Sequence, residues 1–473
     1  MAIISKRDYG LMGKDGALAV ERGLAGASWY ISPVPKEKIR ELRERRNWPA
    51  VRDTVAWFAL IGASGYAAYW LWQAGSLWAI VPFMLYGVLY ASSSDSRWHE
   101  ASHGTAFRTD WLNNALYEIA SFMVLRESTI WRWSHQRHHS DTYIVGRDPE
   151  IAIPRPPNIL SIIIGFFKLH TIVLYFKHLL MHCAGVLTAD EKSFIPEHEQ
   201  PKVVIKAWIY LLIYTGVIGL ARYQQSILPL LYVGLPTVYG SWLVEFYGLP
   251  QHAALAEDVL DHRLNTRTIY MNPVLRYLYW NMNYHVEHHM YPLVPYHQLP
   301  RLHELVKADC PAPYGGLIEA WREIIPVLRR QVRDTSHFAG RTVPAPLAGA
   351  SAQLPMPVFR ALGPMVDGWI EVGASSALGA EDVIRVDHER STYAIYRTAD
   401  GALYATAGRC THGGVHLAGG FVKGRLIECP KHNGRFDITD GSPQRAPACV
   451  ALAIYPVREA ESRIFLGCKR LQS

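Results

Sequence analysis

Two uncharged apolar runs, Thr54 to Gln73 and Ser76 to Ser94, follow one another with only Ala74 and Gly75 between them. Each is close to the ~20 residues a helix needs to cross a bilayer, so they predict a helical hairpin. A second pair, Ala207 to Ala221 and Ser226 to Val244, predicts another. Lys206 and Arg222 flank its first run at positions from which charged ends reach the interface, and Pro229 and Pro236 interrupt its second. The pattern therefore predicts four spans. Between Asn158 and Leu187 an apolar run is broken by Lys168, His170, Lys177, His178 and His182, which fits an amphipathic helix lying in the interface better than a fifth span. Residues 334–357 form a Pro-, Ala- and Gly-rich stretch with the core "GRTVPAPLAGASAQLPMP", and beyond it the pattern turns to short alternating strands. The expected organisation is an N-terminal segment 1–53, an all-α integral membrane domain 54–333, a linker 334–357 and an all-β domain 358–470.

Composition and charge place this architecture. At 473 residues at least two domains are expected. The 15 Trp and 26 Tyr suit membrane interfaces. The segment "KEKIRELRERR" carries six basic against three acidic residues, which predicts a cytoplasmic N-terminus in the inner membrane; four spans then return the chain to the same side. The start "MAIISKRDYGLMGKDG" lacks the apolar region of a cleavable signal. The net charge of +7 suits an anionic membrane surface, and no nucleic-acid motif is present. Cys183, Cys310, Cys449 and Cys468 show no disulfide pattern, which fits a reducing compartment.

Three histidine clusters carry the chemistry. "HEASH" places His99 and His103 one helical turn apart, "HQRHH" holds His135, His138 and His139, and "HVEHH" holds His285, His288 and His289. Offsets of three and four fall on one helix face, so each cluster can aim its imidazoles at a common centre. The predicted spans place all three clusters on one side of the membrane. Eight imidazoles exceed the four ligands of a structural zinc, so two metal ions are expected; ligand softness leaves zinc, copper, iron and nickel open. His178 and His182 are also one turn apart, but with no third histidine or carboxylate at ligand spacing they read as interfacial residues.

A second cofactor is predicted in "CTHGGVHLAGGFVKGRLIECPKHNGRFD". Cys410 and His412 on one loop alternate with Cys429 and His432 on another, whereas a zinc finger groups its cysteines and its histidines. One Cys and one His from each of two loops is the arrangement of a Rieske [2Fe-2S] centre, the cysteines on one iron and the histidines on the other. The chain resembles Rieske ferredoxins over roughly Val358 to Leu466. Val415 and Lys431 stand where high-potential members have a cysteine pair, so the resemblance implies the low-potential type that feeds oxygenases. His416 reads as a supporting residue.

From about Asp8 to Arg330 the chain resembles the membrane fatty-acid desaturase and hydroxylase superfamily, whose three histidine boxes it carries. That resemblance implies a four-span scaffold, two irons, and a further histidine ligand after the last span, for which His252 is the candidate and His262 a weaker one. Glu257, Asp258, Asp261, Glu100, Asp141, Asn283 and Glu287 are candidate acceptors that orient the imidazoles. Within this superfamily "AVERGLAGASWYISPVPKEKIRELRERR" and "EDVLDHRLNTRT" look most like a bacterial subgroup of rhizopine-catabolism monooxygenases. The implied reaction is O2-dependent hydroxylation of a small methylated organic substrate, leading to O- or N-demethylation. Acyl desaturation or alkane and lipid hydroxylation is the alternative. Electrons would come through the fused cluster from a separate NAD(P)H-dependent ferredoxin reductase, since no G-x-G-x-x-G follows a strand. A membrane-tethered electron carrier is the competing class, which the filled boxes argue against.

Overall fold

The computed structural model describes residues 7–471 except Ser28, residues 345–357, 361–364 and 432–433, and Ala446. The core of the expected linker and His432 lie outside the described residues. The chain divides into two compact units, Met1–Ala25 with Glu41–Ala345, and Gly26–Arg40 with Pro346–Ser473.

The first unit is helical. The run Thr54 to Gln73 lies in the helix Asn47–Gln73, and the run Ser76 to Ser94 in the 27-residue helix Leu77–His103. The latter and Glu197–Tyr223 are long and apolar enough to cross a membrane. The interfacial segment becomes two helices, Ile159–Gly165 and Leu169–Cys183, bent by 77° at Lys168, which sits at φ 53°; taken as one broken span they would make a third. The fourth predicted span does not form one helix. Pro229, Pro236 and Gly234, the last at φ 97°, divide it into Leu228–Tyr232, Pro236–Gly240 and Trp242–Gly248.

The helix Leu77–His103 contains a π-helical turn, Val88–Ser92, just before the first histidine box. An inserted residue of this kind rotates the C-terminal part of a helix relative to its N-terminal part. The turn is fixed by a crossing with the broken fourth segment: Ser92 Oγ donates to Gly240 O (2.6 Å), Val244 N donates to Ser92 Oγ (2.8 Å), and Tyr247 Oη donates to Ser92 O (2.6 Å). A Cβ at Gly240 would lie 2.0 Å from the carbonyl carbon of Gly87, so the backbones meet only because both positions are glycine. One turn further on, the fully buried Arg97 guanidinium lies 4.9 Å from the ring centroids of Trp57 and Trp280 and donates to the carbonyls of Ser93 and Leu278. Cation–π contacts and carbonyl acceptors at Nη1 offset part of its lost hydration.

The C-terminal region of the second unit is built on β-strands. Its five-stranded sheet runs Val358–Arg360, Asp382–His388, Ser391–Arg397, Leu403–Ala407, Ile454–Tyr455, with the first pairing parallel and the rest antiparallel. A three-stranded sheet of Val457–Ala460, Arg463–Gly467 and Trp369–Ala374 shares a core with it through Ile370, Val372, Ile384, Ile395 and Leu466. The third sheet is a four-stranded meander, Phe421–Lys423, Leu426–Glu428, Arg435–Asp437 and Pro443–Arg445, whose core includes Leu417, Ile427, Phe436, Cys410 and Cys429. Residues 26–40 belong to this unit, where Lys36 pairs with Asp382 and Arg40 donates to Glu381 O (3.0 Å).

Candidate metal centres

Nine histidines come together in the helical unit. His99 and His103 end the helix Ser93–His103, which Gly104 terminates in the left-handed region at φ 64°. His135, His138 and His139 lie on Ser128–Asp141, whose first turn is capped by Glu127 accepting from Thr129 N (2.9 Å) and Ile130 N (2.8 Å). His285, His288 and His289 lie on the short helix His285–Met290, and His252 follows the turn Leu249–Gln251. Two groups result. His99, His103, His135, His139 and His288 form one, and His138, His252 and His289 the other. His285 Nε2 joins the second, 3.1 Å from both His252 Nε2 and His289 Nε2. In the first group His99 Nε2 is 2.7 Å from His288 Nε2, and His135 Nε2 is 3.1 and 3.2 Å from His103 Nε2 and His139 Nε2. Adjacent ligands at a metal with bonds of about 2.1 Å are about 3 Å apart, so this spacing fits shared cations.

The outer ring nitrogens fix which lone pairs point inward. His138 Nδ1 lies 2.9 and 3.1 Å from the Asp148 carboxylate, His135 Nδ1 is 3.1 Å from Glu150 Oε2, and His252 Nδ1 is 2.9 Å from Asn265 O. These oxygens accept, so the proton sits on Nδ1 and the Nε2 lone pair is presented to the centre. Thr142 gives its hydroxyl proton to His138 O (2.7 Å), so it accepts from His289 Nδ1 (3.3 Å). His252 and His289 thus both aim lone pairs at His285 Nε2, which has at most one proton to offer. A cation removes that conflict. Burial depresses the imidazoles of His139, His252, His285, His288 and His289 well below the ordinary range, which keeps them neutral donors. Burial also acts on His138, but the Asp148 carboxylate outweighs it and raises that group.

The acceptors are not the ones the sequence suggested. Glu257 is engaged by Arg7, Tyr9 and Arg155, Asp258 by Val145 N, Asp261 by Arg263, Asp141 by Arg147, and Asn283 by Ile269 O. Glu100 accepts from Tyr296 N, and Glu287 pairs with His303 (2.5 Å). Asp148 and Glu150, in the loop "GRDPE" after the second box, take the role instead. The only available signal was two carboxylates close behind a histidine box. The same loop holds Tyr143 at φ 57°, a costly conformation for an aromatic residue, fixed by Tyr143 N donating to Asp148 Oδ2 (2.7 Å) and Asp258 N donating to Tyr143 O (3.0 Å). The Tyr143 ring stacks on His252. His262 lies outside both groups, its ring beside that of His289.

In the β unit Cys410 and Cys429 are buried together. The Cys410 thiol is lowered by its hydrogen bond with Cys429, helped against burial by the backbone N–H groups of Gly413 and His412 and by the Lys431 charge. Such a site favours thiolate, the ligand form. Desolvation by the loop and the Lys431 charge lower His412, which favours a neutral imidazole, while the residue keeps an exposed edge. Backbone hydrogen bonds close both loops, Cys410 N to Val415 O (2.9 Å) and Cys429 N to Gly434 O (2.8 Å). His416 is buried with both nitrogens used: Nδ1 accepts from Ala418 N (3.1 Å), so Nε2 donates to Thr392 Oγ1 (2.8 Å).

Residues 76–321, just over half of the chain, match the fatty acid desaturase family. The chain belongs to that family. Residues 368–456 match the Rieske [2Fe-2S] domain, so this family member is a desaturase-type domain fused to a Rieske domain. The ferredoxin component of a naphthalene 1,2-dioxygenase system from Pseudomonas aeruginosa is 37% identical over 102 residues, 22% of this chain and 97% of that protein. Ferredoxin CarAc from Metapseudomonas resinovorans is 34% identical over 100 residues, 21% of this chain and 92% of that protein. A solved complex of reduced oxygenase and oxidized ferredoxin in carbazole 1,9a-dioxygenase matches at 31% identity and a TM-score of 0.22, over 23% of this chain and 100% of the matched one. The family implies a diiron centre and the Rieske domain a [2Fe-2S] cluster, and the two imidazole groups fit the first. Family and apolar helices together point to a membrane protein.

Beside the imidazoles of this desaturase-family domain is a cavity of about 350 Å³, reached by His99, His135, His138, His252 and His285. Its wall is partly charged: Asp95 pairs with Arg126 (2.6 Å), Lys168 pairs with Glu245, and Glu150 and Gln251 also face it.

Proposed function

We propose that the protein is an O2-dependent diiron monooxygenase that hydroxylates a C–H bond of a small polar substrate, leading to O- or N-demethylation, with electrons from its own Rieske cluster. The cavity carries this reading. Its size is at the low end of the roughly 300–1,000 Å³ of small-molecule sites, and its two ion pairs give it a partly charged wall that suits a small polar substrate better than a long acyl chain. When bound, the diiron pair supplies activation of dioxygen. The nine histidines would hold the two ions, five and four to a group, while Asp148, Glu150 and Asn265 O fix the imidazoles that present them. Trp98, Trp131 and Tyr143 limit water in the cavity, and its ion pairs orient the substrate. The balance is R–CH3 + O2 + 2e⁻ + 2H⁺ giving R–CH2OH + H2O; with oxygen or nitrogen attached to that carbon, the product releases formaldehyde. Cys410, His412, Cys429 and His432 would hold the cluster that relays the electrons one at a time. An NAD(P)H-dependent ferredoxin reductase would fill it, and a four-span inner-membrane topology would put both centres on the cytoplasmic side. Acyl desaturation remains the second reading, supported by the family itself.

Iron counting and isotope labelling test this. Purified protein should hold about four irons per chain, and Cys410→Ser about two. Loss of all iron in that variant overturns the diiron assignment. Under ¹⁸O2, label in an alcohol product or in released formaldehyde supports hydroxylation, whereas an alkene with all label in water supports desaturation.

A further inference from the structure

His178 and His182, one turn apart on Leu169–Cys183, do have a third donor. The helix Ala189–Phe194 brings Glu191 to them: Glu191 Oε1 is 3.1 Å from His182 Nε2 and 3.5 Å from His178 Nδ1. The carboxylate is held in place by a capping box, in which Thr188 N donates to Glu191 Oε2 (2.7 Å) and Glu191 N donates to Thr188 Oγ1 (3.2 Å). That fixes Oε2 on the backbone and turns Oε1 to the two imidazoles. His182 and Glu191 are buried, and all three donor atoms lie within 4.8 Å of one another.

The spacing fits a metal. Ligand atoms about 2.05 Å from a tetrahedral zinc are about 3.3 Å apart, and the two observed separations straddle that value. Two imidazoles and one carboxylate make the zinc donor set that leaves a fourth position open. The three residues line a cavity of about 520 Å³ that could supply water to that position. None of them belongs to the nine-histidine centre. We propose that His178, His182 and Glu191 form a third metal site, binding one zinc ion and clasping the bent helix pair to the capping box that precedes the helix Gln200–Tyr223.

The test is zinc and iron content of the purified full-length protein after equilibration with Zn²⁺ and removal of excess. The expected result is one zinc per chain in wild type and none in His182→Ala or Glu191→Gln, with iron and [2Fe-2S] absorbance unchanged. His178→Ala removes a partly exposed side chain, so it guards against misfolding of the buried variants. In a chelator competition it should weaken zinc by about 100-fold or more. No zinc in wild type, zinc retained in all three variants, or a loss of iron instead of zinc in folded His178→Ala overturns the proposal.

Discussion

At the scale of single residues, the centre depends on groups that touch no metal. Asp148 accepts from His138 Nδ1 and Tyr143 N on Oδ2 and from Glu150 N on Oδ1 (2.8 Å), and only a carboxylate offers two acceptor oxygens there. Asp148→Asn would turn an amide N–H toward one of these donors. We expect it to weaken iron retention in the nine-histidine centre by about 10- to 100-fold, read as iron left after dialysis against a graded chelator. Glu287→Gln, whose partners are His303 and Thr268, should leave that retention within about twofold by the same measure, since it is outside this set of anchors. Equal losses in the two variants would refute the assigned anchors.

At the scale of elements, helix ends and crossings place the boxes. Glu127 caps the helix carrying the second box, and burial pushes its carboxyl up to about 7 from an ordinary 4.5. In that interval the folded protein keeps a proton the unfolded chain has released, so stability falls as pH rises from about 4.5 to about 7 and is level above. Glu127→Gln should flatten this part of the pH profile of the unfolding temperature; an unchanged slope would remove Glu127 as its source. The crossing at Gly87 and Gly240 is equally local. Gly240→Ala forces the backbones apart at the π-helical turn and should cost about 1–3 kcal/mol or more, seen as a lower unfolding temperature together with reduced iron content. Full iron loading in that variant would show that the first box does not depend on the crossing.

At the scale of the whole molecule, the proposed function would make electron delivery from the fused Rieske domain intramolecular, at an effective concentration set by the tether. The β unit also depends on a distant piece of chain, since residues 26–40 fold with it and Trp29 is buried. Trp29→Ala should destabilise that unit by about 3–5 kcal/mol. The readout is bleaching of [2Fe-2S] absorbance on heating, which should move to lower temperature while the iron of the nine-histidine centre stays bound. Bleaching at the wild-type temperature would show that the segment adds nothing.

What depends on local spacing was legible in the chain before any fold was known. Offsets of three and four on a helix put His135, His138 and His139, and His285, His288 and His289, on shared faces whatever surrounds them. Alternating Cys and His on two loops announced the cluster in the same way, and a change of hydrophobic period marked where helices give way to strands. Packing set how nine imidazoles divide into groups of five and four, since neighbours such as His138 and His139 point to different groups. It also decided that Asp148 and Glu150, rather than the acids beside the boxes, anchor the rings, and that Glu191 meets His178 and His182. In each case the contact is made by a loop or cap whose path is set by packing rather than by a periodic pattern. The fourth apolar segment shows the converse: hydropathy counted its apolar residues, while two prolines and a left-handed glycine set its shape.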